Sequence, residues 1–216
     1  MDKQTGKLIA RIAENLPNIN ADLMQEWIDD PVGLKKALFW ALIKRSIWTT
    51  IRAGVGHWTA SGFRDALASR ERKIWGPADQ MLEQLKITNA TGTDVDLFVV
   101  SGVELGCKGR NVTHREVYDR AQEIGLALCR PEVCLCLLLQ ADDNILVMGT
   151  WCLVGMEPIQ YENDHIGIFM IDREHRGVQS QNPARLGLGA LCDNNFRMMP
   201  VEYQWIFVLP RPSASA

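Results

Sequence analysis

The spacing of apolar residues changes character at residues 89–93, and that change constrains the fold more than any other feature. Upstream, apolar side chains recur at helix spacing. Leu8, Ile9, Ile12, Ala13 and Leu16 mark one helix, ended by Pro17. Asn20 can cap a second, carrying Leu23, Met24, Trp27 and Ile28. Asp30 and Pro31 read as the N-cap and first position of a third, in which Leu34, Leu38, Phe39, Trp40, Leu42 and Ile43 leave almost no polar face. Ile47 to Ile51 favours strand, and Gly54 and Gly56 favour a turn. Ser61 can cap a helix through Leu67. Gly76-Pro77 opens another, with Ala78, Met81, Leu82 and Leu85 at i, i+3, i+4 and i+7.

Downstream the period becomes two. Val95, Leu97 and Val99 alternate with Asp94, Asp96 and Phe98, as in a half-buried strand. Thr113 and Glu116 fit a capping box, and the helix behind it carries Val117, Tyr118, Ala121 and Ile124 before stopping at Gly125. Val133 to Leu139 is apolar on both faces and predicts a central strand. Ala141 to Asn144 reads as a hairpin turn, with further strands at Ile145 to Leu153, Ile166 to Ile171 and Trp205 to Leu209. Asp172 to Met199 reads as loop-rich because of Gly187, Gly189 and Asn194-Asn195. The expected class is α+β: a helical N-terminal third, then a mostly antiparallel or mixed sheet with one packed helix. The organisation expected is a helical region 1–45, an α+β domain 46–212 and a frayed tail 213–216.

Composition permits that core. The chain has 216 residues, 47% hydrophobic and 23% charged. At this size roughly 70% of the extended chain's surface can be buried without a disulfide or metal staple. No stretch reaches the roughly 18 to 20 apolar residues of a membrane span. Met1-Asp2-Lys3-Gln4-Thr5 has no apolar core of a secretory signal, so the expected location is the cytoplasm and the six cysteines are expected as thiols. No cofactor and no metal site is expected.

Chemistry-bearing motifs are sparse. Cys134 and Cys136, two apart on an expected strand, would share one face and read as small core hydrophobes. Cys107, beside Lys108 and Arg110, has the best local charge for a nucleophile but no histidine fixed near it. His165, Asp172, Glu174 and His175 bracket a strand and form the one polar cluster that could serve general-base or metal chemistry. Their spacing matches no H-E-x-x-H motif, and the alternative is a set of exposed hairpin residues. There is neither a phosphate loop nor a G-x-S-x-G elbow.

Charge is unevenly distributed. The formal net charge of −3 conceals a basic segment, residues 32–75. It holds nine cations, Lys35, Lys36, Lys44, Arg45, Arg52, Arg64, Arg70, Arg72 and Lys73, against the two acids Asp65 and Glu71. Trp40, Trp48, Trp58 and Trp75 are interleaved, so the segment could hold nucleic-acid phosphates and stack bases. Alternatively it docks on the acidic remainder of the same chain, with the aromatics in the core.

Val99-Val100-Ser101-Gly102-Val103-Glu104-Leu105-Gly106, then Thr113-x-x-Glu116-Val117-Tyr118-x-Arg120-Ala121-x-Glu123-Ile124-Gly125-Leu126, Cys129-x-Pro131-Glu132-Val133 and Met156-Glu157-Pro158-Ile159 form a recognisable series. With Trp48 to Gly54 and the ending Trp205 to Val208, it resembles an uncharacterised group of bacterial proteins over roughly residues 48 to 211. Arg130, Cys134 and Leu138 depart from the group's pattern. The resemblance implies a bacterial origin and one co-folded unit, and it brings no activity and no site residue. The expected function is a non-catalytic binding or regulatory protein with nucleic acid or a protein as partner. The alternatives are an enzyme using the cluster at 164–175 and a protein-interaction module in residues 1–45.

Overall fold

The computed structural model describes residues 25, 29, 30, 33, 47–54, 59–85, 92–147, 149–173, 185–192 and 198–210. The chain divides into two compact units, Met1–Leu42 and Ile43–Ala216. In the first, Gly33 N–H donates to Asp30 Oδ1 at 2.8 Å, the bond expected of an aspartate N-cap. The helices read at 8–16 and 20–28 lie largely outside the described residues, as do Lys35, Lys36, Lys44, Arg45 and the tail.

The second unit is built on ten strands and four α-helices among the described residues. The strands are β1 (Thr49–Ala53), β2 (Lys73–Ile74), β3 (Thr93–Ser101), β4 (Asn111–Val112), β5 (Trp151–Val154), β6 (Ile159–Gln160), β7 (Ile166–Arg173), β8 (Leu186–Cys192), β9 (Met199–Pro200) and β10 (Gln204–Leu209). The helices are α1 (Ala60–Ser69), α2 (Gly76–Glu83), α3 (His114–Glu123) and α4 (Pro131–Gln140). Eight strands form one mixed sheet in the order β1-β3-β10-β5-β7-β8-β2, with β6 also on β7; β4 and β9 form a separate pair. Pairings are antiparallel except β10 with β5 and β2 with β8.

This overturns the expected division into a helical N-terminal third and a sheet carrying one helix. The first third supplies the edge strand β1, and two of the four helices, α3 and α4, lie well beyond it. The larger error concerns Val133 to Leu139, which is the body of α4 and not a central strand. Glu132 through Leu138 are all buried, so the segment has no polar face and its apolar pattern carries no period. Pro131 at the first helical position and Glu132 in the first turn were the helix signals. Ala141 to Asn144 is accordingly not a hairpin turn: Ala141 caps α4, and a 3-10 turn, Asp143–Ile145, follows. The strand expected from Ile145 begins only at Trp151.

The stretch read as loop-rich contains β8. Its glycines leave space rather than break the strand. A Cβ on Gly187 would stand 2.6 Å from Asp172 Oδ1, and one on Gly189 would stand 2.8 Å from Met170 Cε. Trp75 lies across both positions.

Helix α4 positions the rest. It packs against β1 near one end of the sheet and against β7 and β8 near the other. Four to five strand spacings would separate those contacts by about 20 to 24 Å in a flat sheet. Tyr118 of α3 sets its ring edge against Trp205 (5.7 Å between centroids) and Phe207 (6.2 Å) of β10. Its hydroxyl donates to Met156 O at 2.7 Å. Thr113 Oγ1 accepts the Glu116 N–H at 3.1 Å, as the capping signature predicts. No helix among the described residues is long and apolar enough to cross a membrane.

Candidate functional site

Two recesses meet where α1 and α4 end. Ala66, Ser69 and Arg70 follow one another at helix spacing along α1 and its cap, as do Cys136, Leu139 and Gln140 on α4. These two faces and Arg52 enclose a mainly apolar cleft of about 430 Å³. Arg52, whose cross-strand partner is Asp94, completes the lining from β1. The Gln140 amide closes that wall. It accepts the Arg52 N–H at 2.9 Å and donates to the Arg52 carbonyl at 2.9 Å, standing in for a missing neighbouring strand.

The second recess, about 410 Å³, shares Ser69 and Arg70 with the first and is charged. The turn that leaves α1 shapes it. Arg72 N–H returns to Leu67 O and Glu71 N–H to Ala68 O, a Schellman arrangement with Glu71 at φ 57° where glycine is usual. That turn directs Arg72 inward, to 7% exposure. Its guanidinium pairs with Asp143 and donates to Leu138 O at 3.2 Å and Ala141 O at 2.8 Å, which satisfies carbonyls at the end of α4. Burial lowers the Arg72 pKa, with Arg70 and Arg185 adding to the effect. Arg185 reaches Asp143 Oδ2 and Glu71 Oε2, each at 2.8 Å, and Leu186 N–H donates to Asp143 Oδ1 at 3.2 Å. When these pairs are drawn, Arg70 and Asp142 remain in the recess without an ion-pair partner among the described residues.

The structure distributes the basic residues singled out in the sequence. Arg64 bridges α1 to α2 through Asp79 and Glu83, both at 2.5 Å, and the hydrogen bonds to these two acids raise its pKa. Arg72 is internal. Lys73 Nζ stands 3.5 Å from the centre of the Trp75 ring. Among the described members of the group, Arg70 alone lines both recesses. Of the polar cluster, His165 precedes β7 and Asp172 lies near the far end of that strand, about 20 Å away at strand rise. Glu174 and His175 lie outside the described residues.

Cys134 and Cys136, expected on one face of a strand, point to different sides of α4 at helical spacing. Burial raises the pKa of both, and of Cys129; it pushes Cys152 up to about 12. Cys107 is raised too, by partial burial and then by Glu116, which opposes a thiolate nucleophile there. Among the described residues no three His, Cys, Asp or Glu side chains gather as a metal site. Sequence reasoning missed Asp142, Asp143, Leu139, Gln140 and Arg185. Pairs such as Glu71 with Arg185, 114 positions apart, leave no local pattern.

Comparison with known protein families, with curated proteins and with solved structures finds no match for this chain.

Proposed function

We propose that this chain is a non-catalytic binding protein whose ligand is a small molecule seated in the cleft between α1 and α4. The observation that carries the reading is the joining of an apolar cleft of about 430 Å³ to a charged recess of about 410 Å³ through Ser69 and Arg70. Cavities of this size, mostly apolar with a few convergent polar groups, are the usual form of small-molecule sites. The thiols along the cleft and strands are held protonated, and His165 and Asp172 stand at opposite ends of β7, which favours binding over catalysis.

The test is a fluorescence titration with 1-anilinonaphthalene-8-sulfonate, an apolar ring system bearing one anionic group. Saturable binding at one site is expected. Leu139→Trp, which fills the cleft from a half-buried position, should weaken it at least tenfold. Undiminished binding by that variant would reject the cleft as the site. Nucleic acid remains the partner suggested by the composition of residues 32–75, and the Lys73–Trp75 stack is the observation in its favour. A salt titration against single-stranded DNA and RNA decides it: binding that weakens steeply with salt and ignores Leu139→Trp would move the function to that surface.

A further inference from the structure

We infer that the ligand of the α1–α4 cleft is a zwitterion with an apolar side chain, of the class of free α-amino acids; this rests on the cleft being the binding site. Three observations converge. The charged recess is lined by three arginines and three acids, Arg70, Arg72, Arg185, Glu71, Asp142 and Asp143, and is electroneutral as a whole. A ligand with net charge would leave it unbalanced, whereas one carrying both signs would not. The recess also holds one group of each sign that forms no ion pair among the described residues, although Asp142 lies in the field of Arg72. Asp143 takes Arg72 and Arg185, and Glu71 takes Arg185. Arg70 and Asp142 line the same space without pairing with each other. Arg70 offers a planar donor fork to a carboxylate, and Asp142 offers an acceptor to an ammonium group.

Beyond the shared wall of Ser69 and Arg70 the lining changes to Ala66, Cys136 and Leu139. A side chain attached to the carbon that bears both head groups would enter there. That apolar lining contains no carboxylate, which disfavours a basic side chain.

Calorimetric titration of the full chain with L-leucine and L-phenylalanine tests this, each set beside its desamino acid (4-methylpentanoate, 3-phenylpropanoate) and its decarboxylated amine. At least one amino acid should bind, with both of its half-headed counterparts at least tenfold weaker. Arg70→Ala should remove most of the preference for the amino acid over the amine. Asp142→Ala should remove most of its preference over the desamino acid. Both side chains are exposed and form no ion pair among the described residues, and a cooperative urea transition in each variant shows that the fold is kept. A desamino acid that binds as well as its amino acid would overturn the zwitterion and leave the cleft as an anion site. Binding of the anilinonaphthalene probe but of none of these compounds would also overturn it, with the cleft intact. Failure of the probe as well would remove the binding site itself.

Discussion

At the scale of single residues, Asp143 stands out because two arginines and a backbone N–H depend on it. Arg72 is the costlier partner to strand, since its side chain is 5% exposed. Removing one member of a buried pair leaves an uncompensated charge, typically at a cost of about 3 to 5 kcal/mol. Asp143 is itself part-exposed, so the expected loss for Asp143→Ala is near the lower figure, about 3 kcal/mol. Urea unfolding measures it, and a loss under about 1 kcal/mol would mean that water already screens the pair. Gly155 is constrained differently. A methyl group there would overlap the Phe207 ring, which is fully buried, so Gly155→Ala is expected to cost about 1 to 3 kcal/mol. The buried thiols set a pH dependence. Folding raises the pKa of Cys152 to about 12, above the ordinary thiol value of about 8.5. The folded chain therefore keeps a proton that the unfolded chain loses as pH rises. This contribution is complete below about pH 8.5 and declines toward pH 12. The urea midpoint should fall between pH 8 and pH 10, and fall less in Cys152→Ala.

At the scale of elements, what the sequence revealed depended on whether an element has two different faces. Helix α2 was legible from Ala78, Met81 and Leu82, and α3 from its cap and stripe. Strand β10 was legible as a compact run of strand-forming residues. Helix α4 has one kind of face on every side, so its pattern could not separate helix from strand. Strand β8 was hidden because Gly187 and Gly189, spaces for neighbouring side chains, look like breaks. The site was not legible for a further reason: it lies between the ends of α1 and α4, and the apolar run of α4 reads as a strand. Element stability can be probed at both ends. Thr113→Ala removes the cap of α3 and is expected to cost about 1 kcal/mol. Gln140→Glu keeps the acceptor for the Arg52 N–H but loses the donor to the Arg52 carbonyl and sets a carboxylate against it. The edge of β1 should then loosen, seen as faster hydrogen exchange at Arg52 with little change along β10.

At the scale of the whole molecule, the sheet joins segments far apart in sequence. Strand β2 at Lys73–Ile74 meets β8 at Gly187 and Leu188, and β1 meets β3 across some forty residues. Such topologies fold slowly because long loops must close before their contacts form. The two units are each compact, so a chain begun at Ile43 is expected to keep a cooperative urea transition. A broad, non-cooperative melt would show that the first 42 residues complete its core. Strand β10 carries the larger consequence. It lies between β3 and β5 and joins the two halves of the sheet, yet it is the last of the described strands in sequence. During synthesis, β1 and β3 can pair early, and β5, β7 and β8 can pair later. The strand that links the two groups leaves the ribosome after both. Until residues 204–209 are clear of the exit tunnel, the nascent chain carries two unjoined sheet edges, and a stalled or prematurely ended product would be a target for chaperones and proteases rather than a shortened working protein.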